Sequence, residues 1–155
     1  MTVEEQIVTW IEASLKECMN LEPSDAGAIR EVEEKDDLVL DMLLPGVHFV
    51  FGDTEPAEDS EDNRGYTHNT PLFIKIGVNE QGNPKKALRS LAGLVQSKLE
   101  TDARVVEIAG TAPFVHLKWI SSHDFAREAM KPVSVRIVHY EIQHRRLIGQ
   151  ADGQY

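Results

Sequence analysis

Val47-His48-Phe49-Val50-Phe51 and Leu72-Phe73-Ile74-Lys75-Ile76-Gly77-Val78 both place apolar side chains at every second position. Val47, Phe49 and Phe51 share one face of the first stretch; Leu72, Ile74, Ile76 and Val78 share one face of the second. Period two, rich in β-branched and aromatic residues, is the pattern of a strand buried on one side. Between them, Gly52 to Gly65 holds six carboxylates (Asp53, Glu55, Glu58, Asp59, Glu61 and Asp62), the lone basic residue Arg64 and no large apolar side chain. A segment with so little to bury projects into solvent or waits for a partner. Hairpins ordinarily close in about two to five residues, and extra loop length costs only about 0.6 kcal/mol per doubling. The two stretches therefore predict a hairpin whose acidic loop, residues 53–65, is an arm that the fold tolerates but does not need.

Upstream, Thr2-Val3-Glu4-Glu5 has the form of a capping box, and Val3, Ile7, Ile11, Leu15 and Cys18 follow at helical spacing. This predicts a helix over 3–19, ended by the breaker-rich run from Asn20 to Gly27. Residues 29–44 read two ways. Leu38, Leu40, Leu43 and Leu44 suit a short helix or an irregular apolar plug, and the charged run Glu31 to Asp37 reads as a solvated edge. Pro45-Gly46 ends whatever forms there and launches the Val47 strand.

Downstream, Asn83 is placed to cap a helix with Pro84 at its first position. Ala87, Leu88, Leu91, Leu94, Val95 and Leu99 form its apolar stripe, which predicts a helix over 84–100. Arg104 to Ala109 and Phe114 to Ile120 read as strands. Ser121 to Met130 is polar, with room for one helical turn, and Val133 to Arg145 is the longest strand. Its apolar side changes near residue 138, which implies a bulge or burial on both faces. The tail, 149–155, is small and polar and is expected to be mobile. Helix, strand, loop, strand, helix and three strands make a single α+β domain over 1–155. Its expected form is an antiparallel or mixed β-sheet with two main helices packed on one face and a long acidic β-hairpin arm.

The chain of 155 residues carries a net charge of −10, unevenly spread. Residues 1–62 hold three basic and 18 acidic side chains, whereas residues 63–155 hold 13 basic and eight acidic. Mixed in one body the asymmetry averages out; segregated, it gives opposite faces suited to head-to-tail contact between copies. No basic stripe of the duplex-binding kind is visible. No apolar run approaches the roughly 20 residues of a membrane span. A single cysteine, Cys18, excludes an intrachain disulfide, points to a reducing compartment and reads as a buried structural thiol.

Catalytic and metal chemistry find little purchase. Ser122-His123-Asp124 has triad residue types, but neighbours in sequence cannot aim at one another as a triad must, so it reads as a loop. His139 and His144 differ by an odd number along a strand and point to opposite faces. His48, His68 and His116 are isolated in sequence, and no glycine-rich phosphate loop occurs. With one cysteine and no His-x-His pair a zinc site is not expected, and the acidic arm lacks the spacing of a calcium loop. The reading is of a non-enzyme with no cofactor and no metal.

The order of elements, with Leu44-Pro45-Gly46-Val47-His48-Phe49-Val50-Phe51-Gly52-Asp53 leading into the acidic loop and Val135-Arg136-Ile137-Val138-His139-Tyr140-Glu141-Ile142 as last strand, resembles the tail terminator (tail completion, minor tail) proteins of long-tailed bacteriophages. The resemblance covers nearly the whole chain, in pattern and not in a sharp motif. It implies a structural virion protein of the neck region, assembled in the host cytoplasm. Such proteins form a homo-oligomeric ring, a hexamer, on the head-proximal end of the tail tube. Their partners are the tail tube protein and a head-completion (neck) protein, and genomic DNA passes through the bore without specific binding. Charge and exposure nominate Asp53, Glu55, Glu58, Asp59, Glu61, Asp62 and Arg64 of the arm, with Arg136, Arg145 and Arg146, as subunit or partner contacts. Two other readings stay open: another neck connector subunit, or a small acidic module that inhibits or regulates a basic partner.

Overall fold

A computed structural model of the chain describes residues 3–21, 27–35, 43–61, 65–79, 82–105, 115–125 and 133–147. The first helix, α1 (Val3–Glu17), runs into a 3-10 turn, Cys18–Asn20, and together they bury Val3, Ile7, Ile11, Leu15 and Cys18. The second, α2 (Pro84–Ala103), begins where Asn83 accepts the Lys86 backbone N–H at 3.2 Å, and it buries Leu88, Leu91, Ala92, Val95 and Leu99. Both follow from their apolar stripes; the cap satisfies a donor that the first helical turn leaves unpaired. Thr2, the expected cap of α1, lies outside the described residues. Among those residues no helix is long and apolar enough to cross a membrane.

Six strands follow in chain order: β1 (Glu31–Glu34), β2 (Gly46–Phe51), β3 (Glu55–Glu61), β4 (Gly65–Asn79), β5 (His116–Phe125) and β6 (Val133–Leu147). They form one mixed sheet in the order β1-β2-β4-β6-β5, with β3 also on β4. β1 runs parallel to β2, and every other pairing is antiparallel. One sheet face carries Val32, Val47, Phe49, Leu72, Ile74, Ile76, Val78, Val138, Tyr140 and Ile142, which join the helix stripes in a single core. Fully burying each such side chain is worth about 1.5–3 kcal/mol. This is the expected α+β arrangement, with both helices on one face.

The helix ends are tied together by polar contacts. Ser14, buried on α1, donates to Asp102 Oδ2 at 2.6 Å, and Lys98 bridges Glu17 at 2.5 Å and Asp102 at 3.0 Å. Burial pushes the Asp102 carboxyl up, but the Ser14 hydroxyl and the Lys98 ammonium outweigh it and hold it below the usual carboxylate range. The Glu17 and Asp102 carboxylates in turn raise Lys98. Cys18 is the buried thiol expected of it: it donates to the Ser14 carbonyl at 3.5 Å, and burial raises it to about 11.

Several expectations are corrected. Glu31 to Glu34 is strand β1 where a solvated charge run was expected, because its backbone has an edge of β2 to pair with and Val32 to bury. The acidic loop is itself largely strand β3, so the second hairpin strand begins at Gly65 and not at Leu72. Arg104 and Val105 form a turn after α2; the remainder of the strand expected there, 106–109, lies outside the described residues. Ser121 to Phe125, expected as a polar loop, continues β5 past a bulge at Ile120. The change of apolar side near residue 138 reflects burial on both faces: Val133 and Val135, with Ile137 and Leu44, form a small cluster apart from the main core. The tail, 149–155, lies outside the described residues.

Candidate functional site

β4 is long enough to serve two partners along one edge. Its C-terminal half pairs with β2 from Leu72 to Gly77, and its N-terminal part pairs with β3 at Tyr66, His68 and Asn69. β2 and β3 therefore follow one another along β4, with residues 52–54 between them. At this junction the Gly52 N–H donates to the Pro71 carbonyl at 2.9 Å, and a Cβ on Gly52 would stand 3.1 Å from Pro71 Cγ. Glycine permits that close approach. Thr54 and Thr70 join hydroxyls at 2.7 Å just beyond it.

The other edge of β4 pairs with β6 without interruption over fifteen rungs, from Gly65–Leu147 to Asn79–Val133. β5 leaves this ladder at the His116–Gln143 rung. Past that rung the described sheet is three strands wide, β3, β4 and β6, and this is the acidic arm. Four residues of β4, Gly65 to His68, lie beyond that rung and extend the arm by about 13 Å at roughly 3.3 Å per residue. One lateral edge is β3, which contributes Glu55, Glu58, Asp59 and Glu61; the other is the end of β6, where Arg145 and Arg146 stand opposite Thr67 and Tyr66. Opposite charges thus lie in two strands separated by β4. Asp62 and Arg64 lie outside the described residues.

At the root of the arm Asp53 and Glu55 are exposed. With Asn69, Pro71, His139 and Glu141 they line a half-open recess of about 210 Å³ that, among the described residues, has three carboxylates and no lysine or arginine in its walls. A second recess, about 250 Å³, lies between the start of α1 and the Gly52 junction, and Glu4 and Asp53 are its ionisable groups among the described residues.

Arg136 is placed differently from the two arm arginines. It binds Asp124 through two contacts, Nε to Oδ1 at 2.5 Å and Nη2 to Oδ2 at 3.0 Å. That guanidinium, opposed by burial and aided by the charges of Lys85 and Arg89, holds the Asp124 carboxyl below its ordinary range. Nine residues of strand, about 30 Å, separate Arg136 from Arg145. Arg136 is therefore committed within the body of its own chain.

The histidines are less isolated than their sequence positions suggest. His68 and His144 occupy one rung and stack at 5.4 Å between ring centroids. His139 stacks on Phe73 at 4.5 Å, on the opposite face from His144, as the odd spacing requires. Ser122, His123 and Asp124 sit in a strand and not in a loop. Ser122 accepts from Trp119 Nε1 at 3.0 Å, Asp124 is held by Arg136, and alternation sends His123 to the other face. His48 is fully buried, with Nε2 2.7 Å from Glu31 Oε2 and Glu33 directly opposite it in the sheet. Little in the sequence marks this grouping, since 15 residues separate Glu33 from His48 and only the parallel pairing of β1 with β2 joins them. The single signal was the i, i+2 spacing of Glu31 and Glu33.

No family model and no curated protein matches the chain. Among solved structures it is similar to a chain of one described as the virion of a native gene transfer agent particle, at 11% identity and a TM-score of 0.47, covering 93% of this chain and 92% of that one.

Proposed function

We propose that this protein is a non-enzymatic structural subunit of a phage-type virion, a tail terminator that docks head-to-tail with copies of itself into a ring at the head-proximal end of the tail tube. The observation that carries the reading is the arm: a three-stranded projection with carboxylates along one edge strand and Arg145 and Arg146 along the other. An edge strand with unpaired backbone groups is a template for another chain. Complementary charge on opposite edges favours a heterologous contact, which closes into a ring when the rotation permits. In this reading Glu55, Glu58, Asp59 and Glu61 face Arg145 and Arg146 of the next copy, and the carboxylate-lined recess at Asp53, Glu55 and Glu141 receives a further basic side chain. Asp62 and Arg64 belong to the same contact. The tail tube and a head-completion protein take the two faces of the ring. An acidic surface at the bore lets DNA pass, because phosphates find few cations there to hold them.

The test is mass measurement with negative-stain imaging of the protein, alone and mixed with tail tubes, beside a variant in which residues 56–68 are replaced by a two-residue turn joining Glu55 to Asn69. Those two residues already face one another, so the excision leaves the body's ladders in register. The full chain is expected to form annuli, alone or on tube ends, and the variant to remain a folded monomer. Absence of annuli in both settings refutes the ring; annuli from the arm-less variant refute the arm's part in it.

A further inference from the structure

We propose that Glu31, Glu33 and His48 form a binding site for a divalent transition-metal ion of the zinc type, at the β1 edge of the sheet and independent of the ring contact. The parallel register sets Glu33 opposite His48 and Glu31 opposite Gly46. Period two then puts both glutamates on the face to which His48 points, away from the helices. One donor atom from each of the three residues lies within 4.8 Å of the others. The imidazole is fully buried and aims Nε2 at Glu31 Oε2, 2.7 Å away, while the side chain of Glu31 is 19% exposed. Glu33, 46% exposed, forms the solvent side of the cluster. The site is thus graded from a fixed buried nitrogen to a flexible carboxylate at its mouth. Opposite Glu31, Gly46 puts no side chain over the carboxylate.

One imidazole and two carboxylates are a donor set of the zinc type, whereas calcium and magnesium take oxygen ligands alone. Zinc to nitrogen or oxygen is about 2.0–2.2 Å, so tetrahedral donors stand roughly 3.3–3.5 Å apart. The Glu33 side chain closes the remaining gap by a change of rotamer, leaving its exposed pair with Lys35 at 3.1 Å. Water or solvent fills the fourth position. The ion takes the place of the Nε2–Oε2 hydrogen bond, and that 2.7 Å separation opens to the tetrahedral spacing as both atoms ligate. Its consequence for the fold is local. β1 is four residues long and lies at the sheet's edge, extended by the Arg30 N–H to Pro45 carbonyl bond at 2.7 Å and the Lys35 N–H to Phe49 carbonyl bond at 3.0 Å. An ion shared between β1 and β2 would pin that edge.

The experiment is calorimetric titration of the chelator-treated full-length protein with zinc chloride, with thermal unfolding and cobalt(II) absorption as second readouts. One ion per chain is expected, with a rise in Tm of several degrees and a cobalt spectrum of four- or five-coordinate type. Glu33→Gln alters only an exposed side chain, so the variant folds; it and Glu31→Gln are expected to weaken zinc at least tenfold. Because His48→Asn changes a buried residue, it is read only if its zinc-free unfolding remains cooperative, and it is then expected to lose the ion. No heat of binding and an unchanged Tm in the wild type overturn the proposal. So does binding that Glu33→Gln and Glu31→Gln leave intact, since the ion then sits on other histidines.

Discussion

The two halves of β4 are one strand with two physical regimes. From Leu72 to Val78 every second side chain is buried in the main core, whereas from Gly65 to Asn69 the strand is polar and lies in the arm. Both halves keep the same ladder with β6. The body half is stabilised by apolar burial; the arm half rests on backbone hydrogen bonds, each with a net worth of about 1 kcal/mol, and on the stacked His68–His144 pair. A β-ladder can therefore be carried well past the core that makes it stable, and the extension is free to take its composition from what it must touch.

Phe49→Ala, in the body, should give the largest loss, about 3–5 kcal/mol by urea unfolding. A loss below about 1 kcal/mol would mean the body is no better packed than the arm. At the junction, Gly52→Ala should cost about 1–2 kcal/mol, because the new Cβ would stand 3.1 Å from Pro71 and packed neighbours resist such insertion. A neutral result would show that the arm pivots freely.

Asp102→Asn, at the helix ends, should cost about 1 kcal/mol at pH 7. The Asp102 carboxyl is held below its ordinary value of 3.8. The stability it contributes is therefore present above that value and is lost as pH falls through the lower folded value. Wild type and variant should converge in acid below about pH 4, and a gap constant down to pH 2 would contradict the pairing. Finally, reversing Glu55, Glu58, Asp59 and Glu61 to lysine should change the unfolding free energy of the monomer by no more than about 0.5 kcal/mol. Amide exchange should be faster at 66–69 than at 72–78 in both proteins, and equal protection would erase the contrast between the halves.

The sequence reached the helices and the body strands because each buries one face, and burial leaves a period. α2 could be placed from its stripe, its Asn83 cap and Pro84 together. β1 was missed because an edge strand of four residues buries only Val32, and one apolar residue has no period. The end of β5 was missed because the bulge at Ile120 shifts the alternation, so Ser122 and Asp124 take the face that Leu117 and Trp119 held. The arm's acidity could be read directly, but its strand character could not. β3 pairs through its backbone, and backbone pairing leaves no mark on side-chain type.

What the chain determined by itself is thus what hydrophobic periodicity encodes: two helices, the core faces of the central strands and one segment with nothing to bury. Tertiary structure alone decided the rest. It set β3 as the continuation of β2, placed acidic and basic edges on either side of β4, committed Arg136 to Asp124 and brought Glu31 and Glu33 to His48. Each of these depends on which backbones pair and in what register, and register joins residues whose separation along the chain carries no local signal.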